Sequence, residues 1–359
     1  MSLKIVSIVG ARPQFVKAAA ISHEFLKHRG ITEVIIHTGQ HFDNNMSEVF
    51  FKQMKIPRPK YNFNIHSLPH GAMVGRMIEE IEKVLLKENP DWVMVYGDTN
   101  STLAGSIAAK KLNKKLAHVE AGMRYFDMRM PEETNRIVAD RLADVLFCPT
   151  EEALRNLAKE GFRGFDCKII KVGDVMVDSF YHYKAIALHD KSYAKNMPKQ
   201  YVLATIHRAS NTDNLPTLKG IVRALSKINE KIPVIFVVHP RTRKIIEENK
   251  LRVNFAMINP VGYLEMLALM DKSAFVLTDS GGLQKEAYLA KKPCLVIYKN
   301  TAWVELVKNK FCLVTEVNEK SILNKFTQLT KLKANYRKVI YPQGAAKKIA
   351  GFFLSEANK

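Results

Sequence analysis

The sequence predicts an α/β fold made of two doubly wound parallel sheets, one in each half of the chain. The first observation is the length of 359 residues, which exceeds one ordinary core and suits two domains. The second is that the apolar segments are short continuous runs, as expected for parallel strands covered by helices on both faces. The third is that these runs alternate with segments of helical period, which is typical of βαβ units.

The apolar runs predict the strands directly. In the first half they span 4–9, 34–38, 93–96, 116–119, 145–148 and 168–172. In the second half they span 201–206, 234–238, 256–258, 274–278, 294–298 and 312–314. Helical period is clearest at 74–87, 152–160, 217–229 and 263–271. We therefore expect domains over 1–178 and 179–342, with the strandless segment 183–200 joining the halves or packing outside them.

Composition limits the compartment and the partners. No apolar run reaches the roughly 18 residues that a membrane span needs, and the N-terminal run is too short for a signal peptide. The four cysteines have no CxxC spacing, so neither a zinc site nor a disulfide framework is indicated. We expect a cytoplasmic protein without a membrane partner.

The formal net charge of +20 admits two interpretations. It reflects either lysines spread over solvated helix faces or a local field that attracts a nucleotide diphosphate. Nucleic-acid binding would need basic residues clustered with aromatic ones, or a known module, and the sequence has neither. We expect no nucleic-acid partner, and a basic nucleic-acid-binding module is the non-enzymatic alternative.

Polar clusters follow seven of the predicted strands, at 10–14, 39–41, 97–99, 120–124, 207–208, 239–241 and 279–282. Ligands of open parallel sheets bind beyond the carboxyl ends of the strands. We therefore expect these clusters to line one shared cleft rather than to be unrelated surface turns.

The segment that begins at Asp279 predicts a phosphate-binding helix start. Asp279 or Ser280 would cap the helix, and Gly281 and Gly282 would let an anion approach the backbone amides at the positive end of the helix dipole. Glu286, one turn later, would accept hydrogen bonds from a ribose diol. The alternative is a plain capping motif.

The loop after the first strand carries Arg12 and Lys17, which could make charge-assisted contacts with an anion. The alternative is a solvated basic turn.

The carboxylates suggest proton transfer. Asp98 and Glu120 end neighbouring strands, and Glu132 starts the helix that carries Arg136. Acids that converge on one cleft are candidates for general acid and base, because crowding raises their pKa values. Any of them could instead cap a helix or pair with an arginine, and for Glu133 we favour that structural role.

Cofactor motifs are missing from the sequence. It contains no G-x-G-x-x-G, G-x-x-x-x-G-K-[ST], H-E-x-x-H or G-x-S-x-G pattern. His66 and His70 have i,i+4 spacing, but Pro69 interrupts a helix there. We expect no cofactor and no metal.

Together the motifs resemble the non-hydrolysing UDP-N-acetylglucosamine 2-epimerase family over nearly the whole chain. They are G-A-R-P-Q-F-V-K at 10–17, T-G-Q-H at 38–41, Y-G-D-T-N-S-T at 96–102, H-V-E-A-G-M-R at 118–124, P-E-E-T-N-R at 131–136, H-R at 207–208, V-H-P at 238–240 and T-D-S-G-G-L-Q-K-E-A at 278–287. The resemblance implies a GT-B fold of two Rossmann-like domains facing across a cleft, a helix near 343–359 that packs back onto the first domain, and a homodimer.

The resemblance also implies roles for single residues. Asp98, Glu120 and Glu132 match the catalytic acids of the family, and His207 matches its histidine near the diphosphate. The UDP contacts are matched by Ser280, Gly281, Gly282 and Glu286, and the basic pair of the first domain by Arg12 and Lys17. Further substrate-binding candidates in or beside these motifs are Arg136, Arg208, Gln40, His41, His239 and Trp303.

Three features depart from the usual pattern. Trp303 stands where the family's T-E-R-P-E motif has an arginine that helps to hold phosphate, H-R-R-E-N becomes H-R-A-S-N at 207–211, and the loop from Glu120 to Glu132 is shorter than in many bacterial members. M-R-M-P-E-E at 128–133 and W-V-E-L-V at 303–307 resemble the branch that acts on UDP-2,3-diacetamido-2,3-dideoxyglucuronate. The expected substrate is UDP-N-acetylglucosamine or this kind of derivative.

The expected reaction is elimination of UDP and its re-addition to a glycal-like intermediate, without a redox step. A GT-B glycosyltransferase, which would need an acceptor, and a hydrolysing epimerase, which would release UDP, are the rival enzymes.

Overall fold

A computed structural model of the chain describes residues 2–40, 54–190, 192, 195 and 197–357. The chain divides into two compact units, a first unit of Met1–Tyr181 with Tyr341–Lys359 and a second unit of His182–Ile340. Each unit contains a parallel sheet with flanking helices, which confirms the predicted α/β class.

The sheet of the first unit has the order β3-β2-β1-β4-β5-β6-β7 in the described residues, and all its strand pairs are parallel. Its strands are β1 (Leu3–Val9), β2 (Ile31–His37), β3 (Tyr61–Asn62), β4 (Trp92–Tyr96), β5 (Lys115–Val119), β6 (Val145–Cys148) and β7 (Lys168–Lys171). The order reverses at β1, so the sheet is doubly wound.

The helices between these strands are α1 (Arg12–Phe25), α2 (His70–Glu88), α3 (Asn100–Lys111), α4 (Pro131–Leu142) and α5 (Glu151–Lys159), and α6 (Val175–His189) follows β7. A short 3₁₀ turn covers Phe162–Gly164. Pro131 occupies the first turn of α4, where its missing N–H costs no hydrogen bond.

The second unit has a sheet of order β10-β9-β8-β11-β12-β13, again parallel throughout. Its strands are β8 (Val202–Thr205), β9 (Val234–Val237), β10 (Ala256–Ile258), β11 (Phe275–Thr278), β12 (Cys294–Val296) and β13 (Cys312–Val314). Its helices are α7 (Ala209–Thr212), α8 (Leu215–Asn229), α9 (Pro240–Glu248), α10 (Tyr263–Lys272), α11 (Gly281–Leu289), α12 (Val304–Lys308) and α13 (Glu319–Thr330).

Helix α8 shows how the sequence builds the core of the second unit. Asn214 caps the helix by accepting a hydrogen bond from the Thr217 amide at 3.0 Å. Leu218, Ile221 and Leu225 recur at helical spacing and are buried in the same cluster as strand residues of the sheet. Each such side chain contributes about 1.5–3 kcal/mol when it leaves water.

The last helix, α14 (Ala345–Ala357), belongs to the first unit. Phe353 is fully buried and makes edge-on contacts with Trp92 of β4 at 5.6 Å and with Phe25 of α1 at 5.8 Å. These aromatic contacts fix the chain end on the sheet of the first unit.

Each predicted strand is present, within three residues at either end, and the structure adds β3. That strand has two residues, one of them exposed, so its apolar signal is too short to recognise. The predicted linker at 183–200 is strandless in its described part, but α6 runs through it to His189. The boundary between the two units falls inside this helix, after Tyr181.

Candidate functional site

The loop after β1 is tied to the end of β4 in the first unit. The side chain of Gln14 accepts hydrogen bonds from the amides of Gly10 and Ala11 at 2.8 and 3.0 Å, and it donates to the Tyr96 carbonyl at 2.9 Å. A Cβ on Gly10 would lie 2.1 Å from the Ser101 hydroxyl oxygen, so only glycine fits there. This packing fixes the start of α1, and with it Arg12 and Lys17.

Asp98 follows β4 and is held from the N-terminal half of α4. Its carboxylate forms an ion pair with Arg136, and its backbone carbonyl accepts a hydrogen bond from the Asn135 side chain at 2.9 Å. Arg136 is buried and also donates to Glu133 at 2.5 Å. Burial disfavours the guanidinium charge, but the two carboxylates outweigh burial and raise the pKa of Arg136. Arg136 thus holds an acid in place, and its predicted contact with substrate stays a prediction.

Glu133 organises the loop that precedes α4. Its carboxylate accepts hydrogen bonds from the amides of Tyr125 at 3.0 Å and Phe126 at 2.7 Å, in addition to the contact with Arg136. The side chain is buried, with 1% of its surface exposed. These contacts agree with the structural role favoured from the sequence.

Glu120 follows β5, the strand beside β4. Its Oε1 accepts a hydrogen bond from the Lys17 ammonium at 2.6 Å, and both side chains are largely buried. A Cβ on Gly97 would lie 3.0 Å from this ammonium and 3.6 Å from the Glu120 oxygen. The Glu120 carboxylate therefore lies over the residue that precedes Asp98. Lys17 was predicted to bind an anion, and the anion it contacts here is Glu120.

Glu120 also has an unusual backbone conformation. Its φ is +71°, in the left-handed region that side chains other than glycine, asparagine and aspartate seldom adopt. Such a residue costs on the order of 1–3 kcal/mol and is most often found at functional sites. The sequence did not reveal this conformation.

Glu132 differs from the other two predicted acids. It lies in the first turn of α4, one residue before Glu133, and it is exposed. No hydrogen bond or ion pair of Glu132 with another described residue is found. Asn135 and Arg136 on the same helix contact Asp98, so Glu132 lies near the Asp98 loop. Its side chain is not held by another described residue.

His118 and Asp140 are positioned at this site although the sequence did not single them out. Both are fully buried. The His118 Nδ1 lies 2.7 Å from the Asp140 carboxylate, and its Nε2 lies 2.7 Å from the Gly97 carbonyl oxygen. Asp140 also accepts a hydrogen bond from the Gly122 amide at 3.1 Å. The pair thus contacts the loop of Asp98 and the loop of Glu120.

Two further candidates lie at the same edge of the sheet. Arg12 is half-buried at the start of α1 and has polar interactions of its own. Gln40 accepts hydrogen bonds from the Ser101 amide at 3.2 Å and hydroxyl at 2.9 Å, at the N-terminus of α3. The side-chain oxygen of Gln40 is therefore used in contacts with Ser101. His41 lies outside the described residues.

In the second unit, the buried carboxylate of Asp279 does not cap a helix but holds the loop after β8. We call this carboxylate and its donors the Asp279 bracket. The carboxylate accepts hydrogen bonds from the amides of His207 and Arg208 at 3.1 and 2.9 Å and from the Asn211 side chain at 3.0 Å. Burial opposes its ionisation, but His207 and these donors prevail and lower the pKa of Asp279 below the ordinary 3.8. The loop after β8 is therefore folded around one carboxylate at the end of β11.

This bracket orients the His207 ring. The His207 Nδ1 lies 3.0 Å from an Asp279 oxygen, and half of the His207 side chain is exposed. Because an ionised carboxylate only accepts, Nδ1 carries a proton and Nε2 is the ring nitrogen left for another group. A proton on Nε2 as well would make it a donor toward phosphate.

Ser280 is the residue that caps α11. Its hydroxyl accepts a hydrogen bond from the Leu283 amide at 3.4 Å, and Gly281 and Gly282 form the first turn of the helix. First-turn amides have no carbonyl partner within a helix and lie at its positive end. Glu286 is buried one turn further on and has polar interactions of its own. The segment thus has first-turn amides of the kind that anion sites use.

The remaining candidates of the second unit have protein partners. Arg208 donates from Nε to the Asp279 carbonyl at 2.7 Å, and its guanidinium lies 4.4 Å from the Tyr298 ring centre. His239 caps α9, where its Nδ1 accepts a hydrogen bond from the Arg241 amide at 3.3 Å.

Trp303 is buried, and the ammonium of buried Lys285 lies 3.8 Å from its ring centre. The tryptophan that replaces the expected arginine therefore supports a lysine through a cation–π contact.

Two searches of the described residues bear on cofactors and membranes. They contain no cluster of histidine, cysteine or acidic side chains with the geometry of a metal site. None of their helices is long and apolar enough to cross a bilayer.

Comparison with known proteins gives consistent matches over both units. The family profile described as UDP-N-acetylglucosamine 2-epimerase matches residues 23–352. A Pseudomonas aeruginosa protein named UDP-2,3-diacetamido-2,3-dideoxy-D-glucuronate 2-epimerase is 52% identical over 306 residues, 85% of this chain and 86% of that protein. A Methanocaldococcus jannaschii UDP-N-acetylglucosamine 2-epimerase is 41% identical over 348 residues, 93% of this chain and 94% of that protein.

A solved structure from Methanocaldococcus jannaschii, described as UDP-GlcNAc 2-epimerase in complex with UDP-GlcNAc and UDP, is also similar. It shares 40% sequence identity and superimposes with a TM-score of 0.93, covering 98% of this chain and 100% of the other.

Proposed function

Because the chain belongs to the UDP-N-acetylglucosamine 2-epimerase family, we propose that it inverts C2 of a UDP-linked 2-acetamido sugar by eliminating UDP and adding it back. The chain is then an isomerase, and the reaction needs no net oxidation or reduction.

The chemistry of C2 explains why UDP must leave. The C2–H bond is next to no carbonyl group, so a base alone cannot remove its proton. Breaking the bond between C1 and the phosphate oxygen gives the bonding electrons to UDP and places positive charge on the ring. Loss of the C2 proton then forms a C1=C2 double bond. Protonation of C2 from the opposite face and return of the phosphate oxygen to C1 complete the inversion.

Asp98, Glu120 and Glu132 are the proposed proton-transfer groups of the first unit. Asp98 and Glu120 follow adjacent strands, and each is fixed by a buried cation. These cations offset the negative charge that we expected to accumulate between the acids. Proton transfer by a positioned carboxylate contributes about 10²–10⁴-fold to a rate. Glu132 supplies a third, more accessible carboxylate.

The second unit supplies the proposed UDP site. The first-turn amides at Gly281 and Gly282 and the Nε2 of His207 are the donors for the diphosphate, and Glu286 is the acceptor for the ribose. Such preorganised donors stabilise the negative charge that develops on departing UDP. We propose that Arg12 binds a phosphate of the UDP-sugar.

The observation that carries the proposal is the pair of acids at neighbouring strand ends, one of them strained and each tied to a buried cation. Turnover in D₂O tests it. The mechanism requires solvent hydrogen to enter at C2, so mass spectrometry of the recovered UDP-sugars should show one deuterium at C2 in both epimers. UDP-sugars that remain unlabelled at C2 after many turnovers would contradict it.

The sugar itself has two candidates. The Methanocaldococcus jannaschii relatives favour UDP-N-acetylglucosamine. The 52% identity to the Pseudomonas aeruginosa enzyme favours UDP-2,3-diacetamido-2,3-dideoxyglucuronate. NMR of the products from both compounds, compared by kcat/KM, decides between them.

The same assays separate the rival enzymes. A glycosyltransferase without acceptor would give at most slow hydrolysis of the UDP-sugar. A hydrolysing epimerase would release free UDP in step with turnover, whereas the proposed epimerase keeps the bond between UDP and sugar in both substrate and product.

We further propose that the chain acts in the cytoplasm as a homodimer. The four cysteines are free thiols, which suits a reducing compartment. Light scattering of the purified chain measures the oligomeric state.

A further inference from the structure

The buried His118 and Asp140 contact the loops of Asp98 and Glu120, the two acids proposed to transfer protons. His118 is the last residue but one of β5, which lies between β4 and β6 in the sheet, and no part of its side chain is exposed. Its ring nitrogens face an Asp140 oxygen and the Gly97 carbonyl oxygen, each at 2.7 Å. Both distances are short for hydrogen bonds that involve nitrogen.

The partners of the ring fix its orientation. A backbone carbonyl can only accept a hydrogen bond, so Nε2 donates to Gly97. Nδ1 faces one Asp140 oxygen, while the other Asp140 oxygen accepts hydrogen bonds from the Gly122 amide at 3.1 Å and from Arg124 at 2.7 Å. The ring is therefore held between the Gly97 carbonyl and Asp140.

Arg124 ties this cluster to a second carboxylate. It bridges Asp140 to Glu160, with Nε 2.7 Å from one Glu160 oxygen and Nη2 2.8 Å from the other. Asp140 is therefore held from two sides, by His118 and by Arg124.

The other ionisable groups that face Asp140 add no charge. Burial raises the pKa of the Cys148 thiol first, and the negative charge of Asp140 raises it further. Burial and the charge of Asp140 likewise raise the pKa of the Cys167 thiol. Burial opposes the ionisation of Asp140, but His118 and Arg124 outweigh burial and lower the pKa of Asp140 below its ordinary value.

The cluster holds the backbone at both acids. The Gly97 amide donates to the Val119 carbonyl at 2.9 Å, while its own carbonyl accepts from His118, so the peptide before Asp98 is fixed on both sides. Gly97 has a left-handed φ of +60°, and Gly122, which donates to Asp140, has a φ of +76°. The two loops thus leave the sheet in conformations that the cluster stabilises.

We propose that His118, held in place by Asp140, is a positioning residue that sets the geometry of Asp98 and Glu120 for proton transfer at C2. It touches no substrate and acts through the Gly97 carbonyl and, via Asp140, through the Gly122 amide. The inference rests on the proposed function for its catalytic meaning, but the contacts of the His118 ring stand on the geometry alone.

Two substitutions divide the contacts of the ring. His118→Asn places an amide near the position of Nδ1, so it keeps a donor for Asp140 and loses the one for Gly97. His118→Gln extends an amide toward the position of Nε2, so it keeps the donor for Gly97 and loses the one for Asp140. A displacement of about 1 Å can cost up to 10²-fold in rate. We expect His118→Asn to lower kcat at least about 10-fold, with KM changed less than twofold and His118→Gln closer to wild type.

The test combines kinetics with histidine-selective ¹⁵N NMR of the full chain, the His118 signal being the one lost in either variant. We expect the spectrum to show a proton on the His118 Nε2, the nitrogen that donates to the Gly97 carbonyl. UDP affinity, measured by calorimetry, should be unchanged in both variants. A His118 ring without a proton on Nε2, or wild-type kcat in a folded His118→Asn variant, overturns the proposal. If His118→Asn does not fold, the NMR spectrum of the wild-type chain remains decisive. If wild-type turnover leaves C2 unlabelled in D₂O, the proposed function fails, and the hydrogen bond from His118 to Gly97 is judged separately.

Discussion

The two candidate regions handle charge in opposite ways. In the first unit, the cations Lys17 and Arg136 are buried and saturated by carboxylates, and the acids are the groups left to act. In the second unit, the carboxylate of Asp279 is buried and saturated by donors, and half of the His207 side chain remains exposed. The first region therefore presents fixed acids, and the second presents hydrogen-bond donors, for which we propose an anionic ligand.

This difference shows how one sheet architecture serves two tasks. Asp98 and Glu120 follow β4 and β5, and their basic partners Arg136 and Lys17 lie on α4 and α1. Asp279 follows β11, and its side chain holds the loop after β8. The first turn of α11 begins with two glycines, whose amides have no carbonyl partner within the helix. Each region uses a buried ion pair or bracket to orient the group that acts, which costs side-chain freedom but improves geometry.

The largest effect is expected from neutralising the acids of the first unit. Asp98→Asn and Glu120→Gln should each lower kcat by about 100-fold or more if the residue transfers a proton. The substitutions also leave Arg136 or Lys17 without a charged partner, so circular dichroism and UDP affinity must be measured alongside the initial rates. UDP binding, which we place in the second unit, should remain within about threefold of wild type.

Glu80→Gln is the matched control for these variants. Glu80 is a carboxylate of the first unit that lies on α2 and pairs with Lys83 three residues later, with 41% of its side chain exposed. An exposed pair of this kind contributes about 0–1 kcal/mol to stability, and its loss should leave kcat unchanged. A loss below threefold in Asp98→Asn would show that Asp98 is structural.

The sequence predicts the acids of this comparison better than their partners. Asp98 and Glu120 could be placed because each follows an apolar run, and parallel strands bring such positions to one edge. The Lys17–Glu120 pair could not be predicted, because it joins residues 103 positions apart. Nor could the role of His118, since a polar residue inside an apolar strand does not reveal which carbonyl it will meet.

The second unit repeats this pattern. The glycine pair at 281–282 and the capping Ser280 are local signals of a helix start, and they were predicted. Asp279 was considered as a second cap, but its side chain turns to the loop after β8, 68–72 residues away in sequence. Local chemistry thus predicts helix starts and strand ends, whereas contacts distant in sequence depend on the folded topology.

A smaller effect is expected when the donors of the second unit are disturbed. His207→Asn should weaken UDP binding about 10- to 100-fold, because a hydrogen bond to a charged group contributes about 1.5–3 kcal/mol. Asp279→Asn should weaken binding to a similar extent, since it releases His207 and the amides beside it. Calorimetry with UDP measures both, and the double variant should bind little worse than either single one.

Asp213→Asn is the control for this series. Asp213 pairs with Arg241 at 3.0 Å, and about half of its side chain is exposed, so UDP affinity should not change. Full additivity of His207→Asn and Asp279→Asn would show that Asp279 does not act through His207.

The smallest effect concerns stability in acid. The pKa of Asp279 is lower in the folded chain than the ordinary 3.8, so its stabilising contribution is complete above that value and is lost as the pH falls toward the folded pKa. The wild-type urea midpoint should therefore fall as the pH is lowered from about 4 toward 2, and part of this fall should be missing in Asp279→Asn. Asp213→Asn should follow the wild-type curve. If Asp279→Asn and wild type lose stability in parallel over this range, the carboxylate is not the buried, ionised bracket described above.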